Sequence, residues 1–170
     1  PSNEHSRRAI EIDPNFALAY SALGSSYVNR VLKGLGQAGD HDKAKHAFKK
    51  ALSLDPKLLE ARMQMVFIYL TEGEKQKART AVDTLREEYP NDPGVQFVRG
   101  VVGRLDGDYE KAIRSYDRMV KLNPGERVLA SYNRARIFMY QKNYDQALRE
   151  LDHGAALEPE HPMIKVIRAC

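Results

Sequence analysis

The chain has 170 residues, of which 42% are apolar, 29% charged and 8% aromatic, with no Trp. No run reaches the roughly 18 apolar residues of a membrane span; the most apolar stretch is MQMVFIYL at 63–70. The net charge of +4 is too mild to mark a nucleic-acid binder, and the single cysteine, Cys170, excludes an internal disulfide or a cysteine metal cluster.

Taken in order, residues 3–12 read as a helix with Ala9 and Ile10 facing inward, ended by Asp13-Pro14. Asn15 is expected to cap a helix from about Phe16 to about Lys33, in which Tyr20, Leu23, Gly24 and Tyr27 share one stripe. Gly24 costs roughly 1 kcal/mol in a helix interior, which a closely approaching neighbour would justify. Residues 28–40 (VNRVLKGLGQAGD) then break the rhythm, with Gly34, Gly36 and Gly39 marking a loop. The carboxylates Asp40 and Asp42 fall at the next helix start, where they suit free N–H groups. Ala44, Phe48 and Ala51 lie on one stripe of that helix, which stops at Asp55-Pro56.

Downstream the pattern recurs. Leu59–Thr71 and Glu74–Tyr89 read as a helix pair around Gly73. Pro93–Leu105 and Asp108–Lys121 follow around Gly107, then Arg127–Tyr140 and Tyr144–Leu157. Asn91, Asp92 and Asn143 are placed to cap. The stripe itself returns as Ala78, Val82, Leu85 with Pro90, as Ala112, Tyr116, Met119 with Pro124, and as Ala147, Leu151, Gly154 with Pro159. Pro56, Pro90 and Pro124 are 34 residues apart, whereas Pro14 to Pro56 is 42. The eight extra residues sit at 28–40. A tail at 161–170 reads as a truncated first helix covering the open end. The chain starts within a repeat, so it reads as an excised fragment, with no basic leader and apolar run at its start.

A 34-residue helix–turn–helix period carrying Tyr20, Leu23, Gly24, Tyr27, Ala44, Phe48, Ala51 and Pro56 resembles the tetratricopeptide repeat (TPR) family. Met65, Tyr69, Gly73, Ala78 and Pro90 repeat the match, as do Gly100, Gly107, Tyr109, Ala112, Tyr116 and Pro124. Ala135, Phe138, Tyr144, Ala147 and Pro159 close it, with Gly154 where a small Ala is usual. The resemblance implies an all-α, right-handed superhelical solenoid of antiparallel helix pairs. It would form a single domain of four full repeats plus a half repeat at each end: 1–14, 15–58 (with the insertion), 59–92, 93–126, 127–160 and 161–170. The opening AIEIDPNFALAYSALGSSY and the insertion before KAKHAFKKALSLDP also resemble TPR tails of bacterial signalling proteins joined to kinase, cyclase or DNA-binding domains.

In the TPR family the first helices line a concave groove. Carried onto this chain, that face is Leu18, Ser21, Ser25 and Val28, then Met63, Phe67 and Leu70, then Phe97, Val101 and Arg104, then Leu129, Tyr132, Arg136 and Met139. Met63, Phe97 and Tyr132 would form one row and Phe67, Val101 and Arg136 another. Such a surface suits a peptide or helix of a partner protein, apolar or amphipathic with an acidic flank. One TPR subclass clamps the carboxylate tail of heat-shock chaperones with Lys, Asn and Arg; here Ser21, Ser25, Gln64, Phe97, Val98 and Val101 stand instead, and that clamp is missing.

Signals for chemistry are weak. His41 and His46 are five apart, on different helix faces, with no completing ligand. Ser25-Ser26 has no His/Asp arrangement in reach, and GLGQAG at 34–39 lacks the strand and distal acid of a dinucleotide loop. Lys43, Lys45, Lys49, Lys50, Arg114, Arg118 and Lys121 read as solvated outer faces. The expectation is a non-enzymatic scaffold or adaptor without cofactor, metal or nucleic acid, in a cytoplasmic setting. Self-association, or docking within a larger bacterial signalling protein, is the alternative.

Overall fold

A computed structural model describes residues 2–157. Every regular element among these is helical. The chain parts into two compact units between Leu85 and Arg86, inside the last turn of a helix.

The first unit holds α1 (Ser2–Ile12), α2 (Ala17–Leu32), α3 (Asp40–Leu54), α4 (Leu59–Thr71) and most of α5 (Lys75–Glu88). The helices form where 3.6-residue periodicity supplies an apolar stripe, and the stripes meet in one cluster. Tyr27 of α2, Ala44, Phe48 and Ala51 of α3, and Ala61, Met65 and Ile68 of α4 are buried together. Gly24 explains how α2 and α3 come so close. A Cβ there would stand 2.7–2.9 Å from the Phe48 ring, so only a residue without a side chain fits.

The second unit holds α6 (Pro93–Leu105), α7 (Tyr109–Leu122), a 3₁₀ turn (Pro124–Glu126), α8 (Arg127–Tyr140) and α9 (Tyr144–Leu157). Ala112, Tyr116 and Met119 of α7 pack with Ala130 and Ile137 of α8, flanked by Phe97, Ile113 and Leu129. Val128, Ala135, Leu151 and Ala155 bury the α8–α9 seam. Gly100 repeats the role of Gly24, since a Cβ on it would overlap the ring of Tyr116. Arg134 clips three helices: from α8 it donates to Asp117 Oδ1 of α7 at 2.8 Å and to Glu150 Oε2 of α9 at 3.0 Å.

Each first helix ends in the same pair of backbone hydrogen bonds. Gly34, Gly73, Gly107 and Lys142 all have positive φ. Their N–H groups and those of the next residues reach back to the last helical turn, as in Gly107 to Arg104 O (3.2 Å) and Asp108 to Gly103 O (2.9 Å). Lys142 alone among the non-glycine residues described adopts positive φ, at 58°.

The insertion divides across the first of these turns. Gly24 and Gly34 are ten residues apart where Gly100 and Gly107 are seven; Gly34 to Phe48 spans fourteen where Gly107 to Tyr116 spans nine. Thus α2 carries three extra residues and the following segment five. Asp40 seals that segment. It is 1% exposed, accepts from the Gln37 N–H at 2.9 Å, and faces Arg30 Nε at 3.5 Å and Lys43 Nζ at 3.6 Å.

Three caps differ from expectation. Phe16, not Asn15, is the N-cap of α2, and the Asn15 N–H is held by Asp13 Oδ1. Asn91 does not cap; its Oδ1 accepts from Arg118 Nη2. Gly39 in the left-handed region caps α3, so the Asp40 carboxylate serves the loop rather than free helical N–H groups. Asp92 and Asn143 do cap, accepting from Val95 and Gln146. Ala9 and Ile10 are only partly covered, whereas Ser6 of α1 is buried. The expected tail helix at 161–170 and the stop at Pro159 lie outside the described residues.

Candidate functional site

The residues assigned to the groove face are not uniformly open. In the first unit Leu18 is exposed, Ser25, Met63, Phe67 and Leu70 are half-buried, and Val28 packs against the core. Ser21 is 3% exposed, with its hydroxyl lacking a hydrogen-bond partner. α2 and α4 touch within this unit.

In the second unit Phe97, Tyr132 and Arg136 are half-buried and Met139 is exposed. Leu129 packs on the core, and Val101 and Arg104 are buried. The Phe97 ring lies 6.3 Å from that of Tyr116, tilted by 45°. Arg136 sits over the Tyr132 ring at 5.6 Å, one helical turn away, and Arg104 of α6 sits over the Tyr140 ring of α8 at 6.0 Å. Both arginines bear on the Tyr116 hydroxyl. Burial pushes the pKa of that hydroxyl up, while Arg104 and, less strongly, Arg136 pull it down.

Sequence reasoning missed Tyr116 and Tyr140 as parts of this face. Tyr116 belongs to a second helix and reads as core; its ring crosses Gly100, and its hydroxyl feels the charge of Arg104 and, least, that of Arg136. The available signal was chemical: a tyrosine where the first copy of the stripe has Phe48 brings a polar atom to the end of a buried ring.

Glu72 receives Lys45 at 2.5 Å and lies 3.8 Å from His41, and its pKa is lowered chiefly by the Lys45 hydrogen bond. Among the described residues no three His, Cys, Asp or Glu side chains gather as a metal set, and no helix is long and apolar enough to cross a membrane. A recess of about 330 Å³ lined by Tyr69, Gln76, Lys77, Thr80 and Ala81 includes none of the groove residues.

A family model for the tetratricopeptide repeat matches residues 36–98 and 104–169. Anaphase-promoting complex subunit 3 of Schizosaccharomyces pombe is 28% identical over 153 residues, covering 90% of this chain and 22% of that protein. Tetratricopeptide repeat protein 6 of Homo sapiens is 24% identical, covering 95% of this chain and 36% of that protein. The chain therefore spans between about a fifth and a third of the length of these relatives. Among solved structures, a thermophilic TPR protein of Thermus thermophilus matches with a TM-score of 0.81 at 18% identity, over 98% of this chain and 87% of that one. YrrB, a TPR protein with an unusual peptide-binding site, matches with a TM-score of 0.63 at 21% identity, over 99% and 82%. Both likenesses show a shared helical repeat fold.

Proposed function

The chain belongs to the tetratricopeptide repeat family, whose members are protein-interaction scaffolds, and from that premise we propose that it holds a peptide or helical segment of a partner protein on its first-helix face. The observation that carries this is the α6–α8 surface. Phe97, Tyr132 and Met139 remain at least partly open there beside two arginines, so an apolar or amphipathic segment with an acidic flank fits it. The match to a peptide-binding repeat protein supports the same reading. The role is binding rather than catalysis.

The test uses peptides selected from a random display library on the 170-residue chain. Phe97→Glu and Tyr132→Glu, each checked for native helicity by circular dichroism, should weaken those peptides by about tenfold or more. Unchanged affinity in both variants would sink the proposal.

A second reading, self-association, is favoured by one feature. Val31, Leu32 and Leu35, at the end of α2 and just past it, are 50%, 77% and 67% exposed. Light scattering across a concentration series tests it: a mass that rises with concentration and falls back in Leu32→Lys supports assembly, and a constant monomer mass removes it.

A further inference from the structure

We propose that the Met139 thioether is a reversible oxidation site for hydrogen peroxide, and that its sulfoxide turns off peptide binding by the first-helix face. This rests on the groove reading above. Burial divides the methionines of the described residues by role. Met65 and Met119 are 4% and 1% exposed and belong to the packed clusters of the two units. Met139 is 38% exposed and Met63 half-buried, and both stand on the first-helix face. Met139 follows Tyr132 and Arg136 at offsets of seven and three, which puts the three on one stripe of α8. It sits in the last turn of that helix, where its carbonyl accepts from the Lys142 N–H at 3.0 Å. The backbone is thus held while the side chain is open to solvent. Met139 is a member of neither buried cluster of its unit, so the fold does not depend on its side chain.

The chemistry is a two-electron transfer. A sulfur lone pair of Met139 attacks one oxygen of the peroxide; the S–O bond forms, the O–O bond breaks, and the departing hydroxide takes up the remaining proton as water. The sulfur is oxidised and the peroxide reduced. A dithiol reductase returns the two electrons, taking the oxygen off as water and becoming a disulfide. The buried sulfurs of Met65 and Met119 meet peroxide only when their helices open. Sulfoxidation replaces a flexible apolar side chain with a polar one. Both arginines of this surface already lie over tyrosine rings, Arg136 over Tyr132 and Arg104 over Tyr140. An apolar segment laid on this stripe would then cover an S=O dipole where it had covered a methyl thioether, and burying a polar group costs affinity.

The test uses the 170-residue chain carrying Met163→Leu and Cys170→Ser, which removes the oxidisable sulfurs outside the described residues. During timed treatment with hydrogen peroxide, each methionine is followed by mass mapping. Met139 should gain one oxygen first, Met63 later, and Met65 and Met119 at least about tenfold more slowly than Met139. Once Met139 alone is converted, circular dichroism should be unchanged and the display-selected peptides should bind about fivefold more weakly or worse. Methionine sulfoxide reductase with dithiothreitol should restore them. Met139→Leu should bind equally before and after peroxide, and Met139→Gln, a lasting polar stand-in, should bind weakly without it. Met139 converting no faster than Met65 and Met119 overturns the oxidation site. Peptides that depend on Phe97 but ignore full conversion of Met139 overturn the proposal and leave the groove standing. If no peptide is selected, the groove reading fails and the control of binding falls with it, while the mass mapping still decides the oxidation site.

Discussion

Two residues carry more of this fold than their size suggests. Gly100 lets the fully buried Tyr116 ring lie across α6, and a methyl group there would overlap it. Gly100→Ala gains roughly 1 kcal/mol of helix propensity but forces overpacking worth about 1–3 kcal/mol. Because the ring is enclosed, a net loss of about 1–2 kcal/mol is expected from urea unfolding. Asp40 is the second. Its pKa is lowered, chiefly by the Gln37 N–H, with Arg30 and Lys43 adding to the effect against desolvation. A carboxyl with a depressed folded-state pKa contributes stability above its unfolded pKa of about 4, and that contribution is lost as the pH falls through the lower folded value. The urea midpoint of the native chain should therefore fall between about pH 5 and pH 3 more steeply than that of Asp40→Asn. The Ala44, Phe48 and Ala51 stripe was legible in the sequence because spacing alone puts those residues on one side of a helix. The Asp40 and Tyr116 environments were not. Each depends on what a neighbouring element brings to one polar atom, and no local spacing encodes that.

Helices were the most legible level. Pro93–Leu105, Arg127–Tyr140 and Tyr144–Leu157 follow directly from periodicity and stop signals. The misread caps at Asn15 and Asn91 share a cause: a cap-forming side chain qualifies only if the backbone enters the helix at the right place, and here Asp13 and Arg118 engage those residues instead. The turn after α8 offers a test. Lys142 at φ 58° occupies the place where the other three first helices have glycine. A left-handed residue with a side chain costs about 1–2 kcal/mol, against which glycine loses part of the gain through unfolded-state entropy. Lys142→Gly should therefore stabilise the chain by about 0.5–1 kcal/mol, read from the urea midpoint with an unchanged m-value.

For the whole molecule, repeat architecture ties each helix chiefly to its neighbours in sequence. α1 packs on α2, but its outer surface is exposed, with Ile12 79% accessible. Amide exchange in α1 should accordingly run at least about tenfold faster than in α3, whose Ala44, Phe48 and Ala51 are fully enclosed; equal protection would show that α1 opens only with the rest of its unit. The period and the place of the irregular segment could be read from proline spacing, and the helical class from the 3.6-residue spacing of the apolar stripes. Exposure along the first-helix face could not, since Ser21, Val101 and Arg104 are buried although spacing puts them on that face. One consequence follows from how the irregular segment is built. The turn at Gly34 is complete before the additional loop residues begin, and Asp40 re-anchors the chain where they end. The stretch 36–38 is thereby bracketed by two fixed points and exposed throughout. Foreign sequence spliced between Gly36 and Gln37, such as an epitope or a fluorophore acceptor, would report on the protein while leaving both Gln37–Asp40 hydrogen bonds in place.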